Sequence, residues 1–91
     1  MPLLSETEIE GKLSELDDWS REGEAITKEF KREKFTGSVA FVNELASVAE
    51  ELDHHPDLAI SWDTVTVTIS THSEGGLTEA DFELARRIDA L

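Results

Sequence analysis

The sequence contains no cysteine, which excludes disulfide bonds and thiolate chemistry within this chain. No apolar run approaches the roughly 20 residues that a membrane-spanning helix needs. Residues 1–6 also lack the basic region and the long apolar segment of a secretory signal. Basic residues are scarce, with 8 lysines and arginines against 21 aspartates and glutamates. We therefore expect a cytoplasmic protein that binds neither membranes nor nucleic acids, because its negative charge repels phosphate groups.

The acidic residues are dispersed along the 91-residue chain and give it a net charge of −13. A dispersed pattern predicts a solvated acidic surface rather than an acidic tail, and such surfaces are used by halophilic proteins. The composition, 38% hydrophobic and 32% charged, is that of a folded globular protein. We expect residues 1–91 to form one domain that works in a high-salt cytoplasm.

Two helices have clear N-terminal signals. Ser5 and Glu8 form the pattern of a capping box at the start of the first helix, with Leu4 and Ile9 placed as a hydrophobic staple. The same capping pattern predicts the start of the last helix at Thr78, with Asp81 three residues later. The apolar stripe of this last helix is predicted to continue as Ala85, Ile88 and Leu91.

A longer helix is predicted from Thr36 to Leu52, because the apolar residues there recur at helical spacing. Its predicted stripe consists of Val39, Val42, Leu45, Ala46, Ala49 and Leu52. Phe41 and Val48 widen the apolar surface beyond one face. This helix therefore fits either a deep position in the core or a subunit interface.

Four strands are predicted. Trp19–Arg21 and Ala25–Lys34 are joined around Gly23, and the basic residues of the second of these favour a solvated edge strand over a binding patch. Leu58, Ile60 and Trp62 alternate as one face of a third strand, and a tight connection at Asp63–Thr64 leads into an alternating strand that ends near Ile69. The element order α-β-β-α-β-β-α, with its short connections, indicates an α+β fold: an antiparallel four-stranded sheet covered on one face by helices.

The candidate site begins where the long helix ends, at His54-His55-Pro56. Histidine exchanges protons near neutral pH, although the stretch also fits a polar turn that happens to hold two histidines. Pro56 favours an extended conformation for His55, so the two rings should point in different directions and take different roles. That geometry disfavours a three-histidine zinc site with His72, and we expect no metal and no other cofactor. Histidine general acid–base chemistry remains.

The spacing of these residues resembles the signature of the pterin-4a-carbinolamine dehydratases. The positions that carry the resemblance are Glu50, His54-His55-Pro56, Trp62, His72 and Asp81. It extends to Asp18-Trp19, Ala49-Glu50, Leu52-Asp53, Ser70-Thr71-His72 and Gly76-Leu77-Thr78, and so to nearly the whole chain.

The resemblance implies the activity of a 4a-hydroxytetrahydrobiopterin dehydratase, a carbon–oxygen lyase that converts 4a-hydroxytetrahydropterin to quinonoid dihydropterin and water. It implies catalytic histidines at His54, His55 and His72, supporting acids at Glu50, Asp53 and Asp81, and substrate binding by Trp19 and His55. Trp19 also fits the core, which is the usual place of a tryptophan, and Asp81 also fits the helix cap. The resemblance further implies a homodimer or homotetramer, and a pathway shared with an aromatic amino acid hydroxylase.

Two other functions fit the sequence. One is a binding or regulatory module without catalysis, for which the long apolar helix would be the partner surface; animal members of the family also act as coactivators of a homeodomain transcription factor. The other is an enzyme that acts on a different pterin, for example in molybdopterin metabolism.

Overall fold

An antiparallel sheet of four strands and three α-helices make up the computed structural model, which describes residues 2–91. The elements are α1 (Glu6–Ser14), β1 (Ser20–Glu22), β2 (Ala25–Lys31), α2 (Lys34–Leu52), β3 (Asp57–Ser61), β4 (Thr64–Ile69), a short 3-10 helix (His72–Glu74) and α3 (Glu79–Asp89). The strands lie in the order β1-β2-β4-β3, and every neighbouring pair is antiparallel. The predicted α+β class and the order α-β-β-α-β-β-α are confirmed.

The core lies on one face of the sheet, between the two middle strands and the helices. Ile26 of β2 lies opposite Ile69 of β4, Phe30 lies opposite Val65, and all four side chains are buried. The alternating residues of β4 are only partly buried, as expected for a strand with one covered face. The helices contribute the buried side chains Ile9, Phe41, Leu45, Val48, Ala49, Phe82, Leu84, Ala85 and Ile88.

The first helix begins as predicted. The Ser5 backbone N–H donates to the Glu8 carboxylate at 2.9 Å, and the Glu8 N–H donates to the Ser5 hydroxyl at 3.2 Å. Ile9 is buried and Leu4 packs against the same core, which is the arrangement expected of a hydrophobic staple. Local sequence chemistry is therefore enough to set this helix start.

The prediction that β2 is an edge strand was wrong. β2 pairs with β1 on one side and with β4 on the other, and it ends at Lys31 rather than at Lys34, where α2 already begins. Two basic side chains of this region, those of Lys28 and Arg32, lie against aromatic rings. The Lys28 ammonium is 4.8 Å from the Phe30 ring centroid, and the Arg32 guanidinium is 4.5 Å from that of Phe41. Lys28 and Arg32 therefore cover the aromatic edge of the core.

The apolar face that α2 turns to the sheet differs from the predicted stripe. Phe41, Leu45, Val48 and Ala49 are buried, whereas Val39 is exposed. Ala46 is exposed as well. The helix carries apolar residues around more than half of its circumference, so spacing alone does not determine which face packs inward. Its outer side keeps the exposed apolar residues Phe35 and Val39.

The third strand is an edge of the sheet and is exposed along its whole length. Leu58 and Ile60 lie within it, but Trp62 lies beyond its end, in a two-residue turn between the paired residues Ser61 and Thr64. Trp62 has φ 51°, and its carbonyl accepts a hydrogen bond from the Ser38 hydroxyl at 2.8 Å. At the other end of the chain, Leu91 is exposed and does not continue the buried face of α3.

Candidate active site

The C-terminus of α2 positions the two adjacent histidines. Asp53 adopts the left-handed conformation, and its N–H donates to the Glu50 carbonyl at 3.2 Å. The His54 N–H donates to the Ala49 carbonyl at 3.0 Å. These two bonds form a Schellman motif, which reverses the chain within one turn. As predicted, the rings point to different places: His54, 15% exposed, contacts Asp81, and His55, 57% exposed, contacts Glu50.

His54 is paired with a fully buried carboxylate. Its Nε2 lies 2.6 Å from Oδ1 of Asp81, and the Asp81 side chain is 0% exposed. A carboxylate only accepts hydrogen bonds, so the neutral ring carries its proton on Nε2 and leaves Nδ1 as an acceptor. This is the arrangement by which a carboxylate sets the tautomer and the orientation of a catalytic imidazole.

Asp81 also caps the last helix, as the sequence predicted. The Thr78 backbone N–H donates to Oδ2 of Asp81 at 2.8 Å, and the Thr71 hydroxyl donates to the same oxygen at 2.8 Å. The helix cap therefore uses Oδ2 of Asp81, whereas the contact with His54 uses Oδ1.

The exposed histidine pairs with a different acid. His55 Nε2 contacts Oε2 of Glu50, and both side chains are largely exposed. Glu50 stands four residues before His54, the spacing of neighbours on a helix face. However, α2 ends at Leu52, and His55 rather than His54 contacts Glu50. The Asp53 carboxylate makes no hydrogen bond or ion pair within residues 2–91. Its predicted support of the histidines stays a prediction.

His72 opens the 3-10 helix that follows β4. Thr71 and Gly76 close the base of this segment: the Thr71 N–H donates to the Gly76 carbonyl at 3.0 Å, and Gly75 takes a positive φ of 74°. The His72 side chain is exposed and has no hydrogen-bond partner in the described part of the chain. It is joined to the His54–Asp81 pair through its neighbour, because the Thr71 hydroxyl bonds the Asp81 carboxylate.

Trp19 lies in the core. It is 7% exposed, its ring packs edge-on against Phe30 with centroids 6.0 Å apart, and its indole N–H donates to the Asp89 carboxylate at 2.9 Å. The structure therefore confirms the core alternative for this residue, while its role in substrate binding stays a prediction.

Sequence reasoning missed two residues that take part in these contacts. Thr71 and Asp89 lie ten and seventy residues from their partners Asp81 and Trp19, and no local pattern signals either contact. Within residues 2–91, no three histidine, cysteine or acidic side chains are grouped as metal ligands. Nor does that part of the chain hold a helix long and apolar enough to cross a bilayer.

The structure is an α+β protein in which His54 and His55 each contact a carboxylate. Residues 2–91 match the family described as Pterin 4 alpha carbinolamine dehydratase. A protein of Nocardia farcinica, provisionally named pterin-4-alpha-carbinolamine dehydratase, is 48% identical over 89 residues, and the match covers 98% of this chain and 94% of that protein. The chain belongs to the pterin-4a-carbinolamine dehydratase family.

Solved structures show the same likeness. The crystal structure of a transcriptional coactivator/pterin dehydratase from Brucella melitensis superposes with a TM-score of 0.92 at 41% identity, covering 97% of this chain and 96% of that one. A pterin dehydratase-like protein that is a RuBisCO assembly factor in the alpha-carboxysome is more distant. Its TM-score is 0.67 at 28% identity, with 80% of this chain and 87% of that chain covered.

Proposed function

We propose that this protein dehydrates 4a-hydroxytetrahydropterin to quinonoid dihydropterin and water, as a carbon–oxygen lyase of the biopterin-recycling type. The observation that carries the proposal is His54, whose Nε2 is held by the buried Asp81 carboxylate and whose other nitrogen is left as a proton acceptor. Family membership supports the pterin as substrate class.

The reaction needs two proton transfers. The bond between C4a and the hydroxyl oxygen breaks, and the hydroxyl leaves as water after it receives a proton from a protonated histidine. A ring N–H gives its proton to a neutral histidine, and the electron pair of that bond forms a double bond toward C4a. One histidine loses a proton while another gains one, so the reaction needs no external oxidant or reductant. Such transfers typically contribute about 10²- to 10⁴-fold each.

We assign the acid and base roles around the hydroxyl to His54 and His72. We assign the orientation of the pterin ring to His55, which contacts Glu50. Glu50 and Asp53 favour the protonated imidazoles by their charge. In this proposal Trp19 takes part in substrate binding, as the resemblance to the family implies. An Asp53→Asn variant removes only the charge and tests that part of the proposal.

The direct test is stopped-flow dehydration of freshly generated 4a-hydroxytetrahydropterin. The wild-type protein should accelerate the reaction, and His54→Ala and His72→Ala should each lower the rate while circular dichroism shows an unchanged fold. Unchanged turnover in both variants would refute the assignment. Competition with other pterins, including molybdopterin precursors, tests which ring system is bound most tightly.

A non-catalytic function is the second candidate. It is favoured by the likeness to a pterin dehydratase-like protein that is a RuBisCO assembly factor. A histidine oriented by a buried carboxylate supports catalysis instead, because a binding surface does not require that pairing. If the purified protein gave no acceleration but formed a stable complex with a partner protein, the second candidate would replace the first.

We also propose that the protein is a cytoplasmic homodimer or homotetramer that works beside an aromatic amino acid hydroxylase. Large apolar side chains remain exposed on α2 and along the β3 edge: Phe35, Val39, Leu58, Ile60 and Trp62. Such residues at an unpaired strand edge favour self-association. Light scattering after gel filtration measures the oligomeric state.

A further inference from the structure

Thr71 connects the segment that carries His72 to the carboxylate that holds His54. Its Oγ1 lies 2.8 Å from Oδ2 of Asp81 and 2.9 Å from Oγ1 of Thr78. A threonine hydroxyl has a single proton to donate, and a carboxylate has none. Thr71 must therefore donate to Asp81 and accept the proton of the Thr78 hydroxyl.

The Thr71 hydroxyl bonds a carboxylate ten residues away rather than the backbone that follows it. Thr71 precedes the 3-10 helix His72–Glu74 as its N-cap residue, where a threonine side chain commonly bonds the backbone that follows. It makes no such bond here. Backbone bonds with Gly76 hold the residue in place, so its side chain is free to face the buried carboxylate.

The two oxygens of Asp81 are divided between two tasks. Oδ2 receives the Thr71 hydroxyl and the Thr78 N–H, and Oδ1 is left for His54. Because the carboxylate is fully buried, a lost protein donor is not replaced at once by bulk water, and the group can rotate toward its remaining donors.

We propose that Thr71 is a positioning residue, whose hydroxyl holds the Asp81 carboxylate in the orientation that aligns the His54 ring. The inference rests on the dehydration proposed above. It adds that Thr71, the residue before His72, controls the alignment of the His54 ring. One hydroxyl then fixes the position of the segment that carries His54 relative to the segment that carries His72.

The test compares Thr71→Val, which removes the hydroxyl at nearly constant volume, with Thr71→Ser, which keeps it. We expect Thr71→Val to lower kcat for dehydration by about 10- to 100-fold with KM little changed, because misalignment of a catalytic group has effects of that order. Thr71→Ser should recover most of the loss. The control is Thr68→Val on β4, which breaks a Thr27–Thr68 hydroxyl pair of 3.2 Å that touches no carboxylate.

A second readout needs no substrate. Nitrogen-15 NMR of the histidine rings should show changed His54 Nε2 and Nδ1 shifts in Thr71→Val, and wild-type shifts in Thr71→Ser and Thr68→Val. Folded Thr71→Val with wild-type His54 shifts, or Thr71→Ser as impaired as Thr71→Val, would overturn the inference. If Thr71→Val does not fold, Thr71→Ala takes its place under the same criteria. An inactive wild-type protein would refute the proposed function alone, since the ring shifts still decide whether Thr71 positions His54.

Discussion

His54 Nε2 lies 2.6 Å from Oδ1 of Asp81, and this acid is entirely buried although it sits in the first turn of a helix. The Asp81→Asn substitution should therefore strongly reduce both activity and stability. The amide has one acceptor oxygen for the three donors of His54, Thr71 and Thr78, and it turns its own N–H donors toward them. We expect kcat for dehydration to fall by about 10²-fold or more, and the free energy of unfolding to fall by about 1–3 kcal/mol.

Glu50→Gln is the matched control for Asp81→Asn, because it changes the acid of the exposed His55 pair. Exposed pairs contribute less than about 1 kcal/mol to stability, so the unfolding midpoint in urea should change little. Equal losses of stability in the two variants would contradict the buried role of Asp81.

The caps of α1 and α3 were predictable because each depends on residues only three apart, Ser5 with Glu8 and Thr78 with Asp81. The carboxylate that pairs with His54 was not predictable in this way. It lies 27 residues away, and the two meet only because the first turn of α3 packs beside the end of α2. Helical spacing would have suggested Glu50, four residues before His54, but the helix ends at Leu52 and that spacing does not apply.

Contacts between residues distant in the sequence also explain the errors in the predicted sheet and in the predicted buried face of α2. The basic residues favoured a solvated edge strand, but the Lys28 ammonium and the Arg32 guanidinium lie over aromatic rings. Strand order depends on pairing between distant segments, which charge alone does not reveal. In α2, both the inner residue Phe41 and the outer residue Val39 are apolar, so only the packing against β4 shows which face is buried.

Asp53 ends α2 in the left-handed conformation, with φ 51°. Glycine adopts this conformation without the steric cost that any side chain brings. The left-handed conformation costs a residue with a side chain roughly 1–2 kcal/mol, and the larger entropy loss of glycine on folding offsets roughly 0.5–1 kcal/mol of that. Asp53→Gly should therefore raise the free energy of unfolding by about 0.5–1 kcal/mol, measured by urea denaturation. Asp17→Gly is the control, since Asp17 is exposed and is not among the residues with positive φ. A stability gain in the control and not in Asp53→Gly would exclude this explanation.

Glu79 links two helices and gives stability a pH dependence. Its carboxylate lies 2.5 Å from the Lys12 ammonium and 2.7 Å from the Arg86 guanidinium, and these hydrogen bonds lower the pKa of Glu79 from its ordinary value of 4.5. A lowered folded-state pKa stabilises the protein above the unfolded pKa, and this contribution is lost as the pH falls through the folded value. Glu79→Gln should thus be less stable than wild type near neutral pH, and the difference should close in acid.

The size of that difference is limited by solvent, because the Glu79 side chain is 39% exposed. We expect less than about 1 kcal/mol from urea midpoints near pH 7. Glu83→Gln serves as the control: it is an exposed acid on the same helix with no ion pair in the described residues. A Glu79→Gln deficit that persists unchanged below the pKa range of glutamate would show that the ion pairs are not its cause.

The outer side of α2 provides a test of self-association. Phe35 and Val39 lie one helical turn apart and are 54% and 38% exposed. Val39→Glu places a charge in this apolar stripe and should shift the protein toward monomer in light scattering. Ala40→Glu adds the same charge on a different side of the helix and should leave the mass unchanged. If both variants keep the wild-type mass, α2 is not the interface, and the exposed β3 edge becomes the next segment to alter.

Salt should stabilise this protein. The net charge of −13 means that the charged groups of the folded protein repel one another. Salt screens this repulsion, because the Debye length falls from roughly 30 Å at 0.01 M salt to roughly 3 Å at 1 M. We expect Tm to rise between dilute buffer and molar KCl, with most of the rise at the lower concentrations where screening changes fastest. A variant that neutralises the exposed acids Glu15, Asp17 and Glu44 should gain less from KCl, because it has less repulsion to screen. Equal stability of the wild type in both buffers would refute the halophilic interpretation. If the variant gained as much Tm from KCl as the wild type, the effect would come from salt strengthening the burial of apolar surface rather than from charge screening.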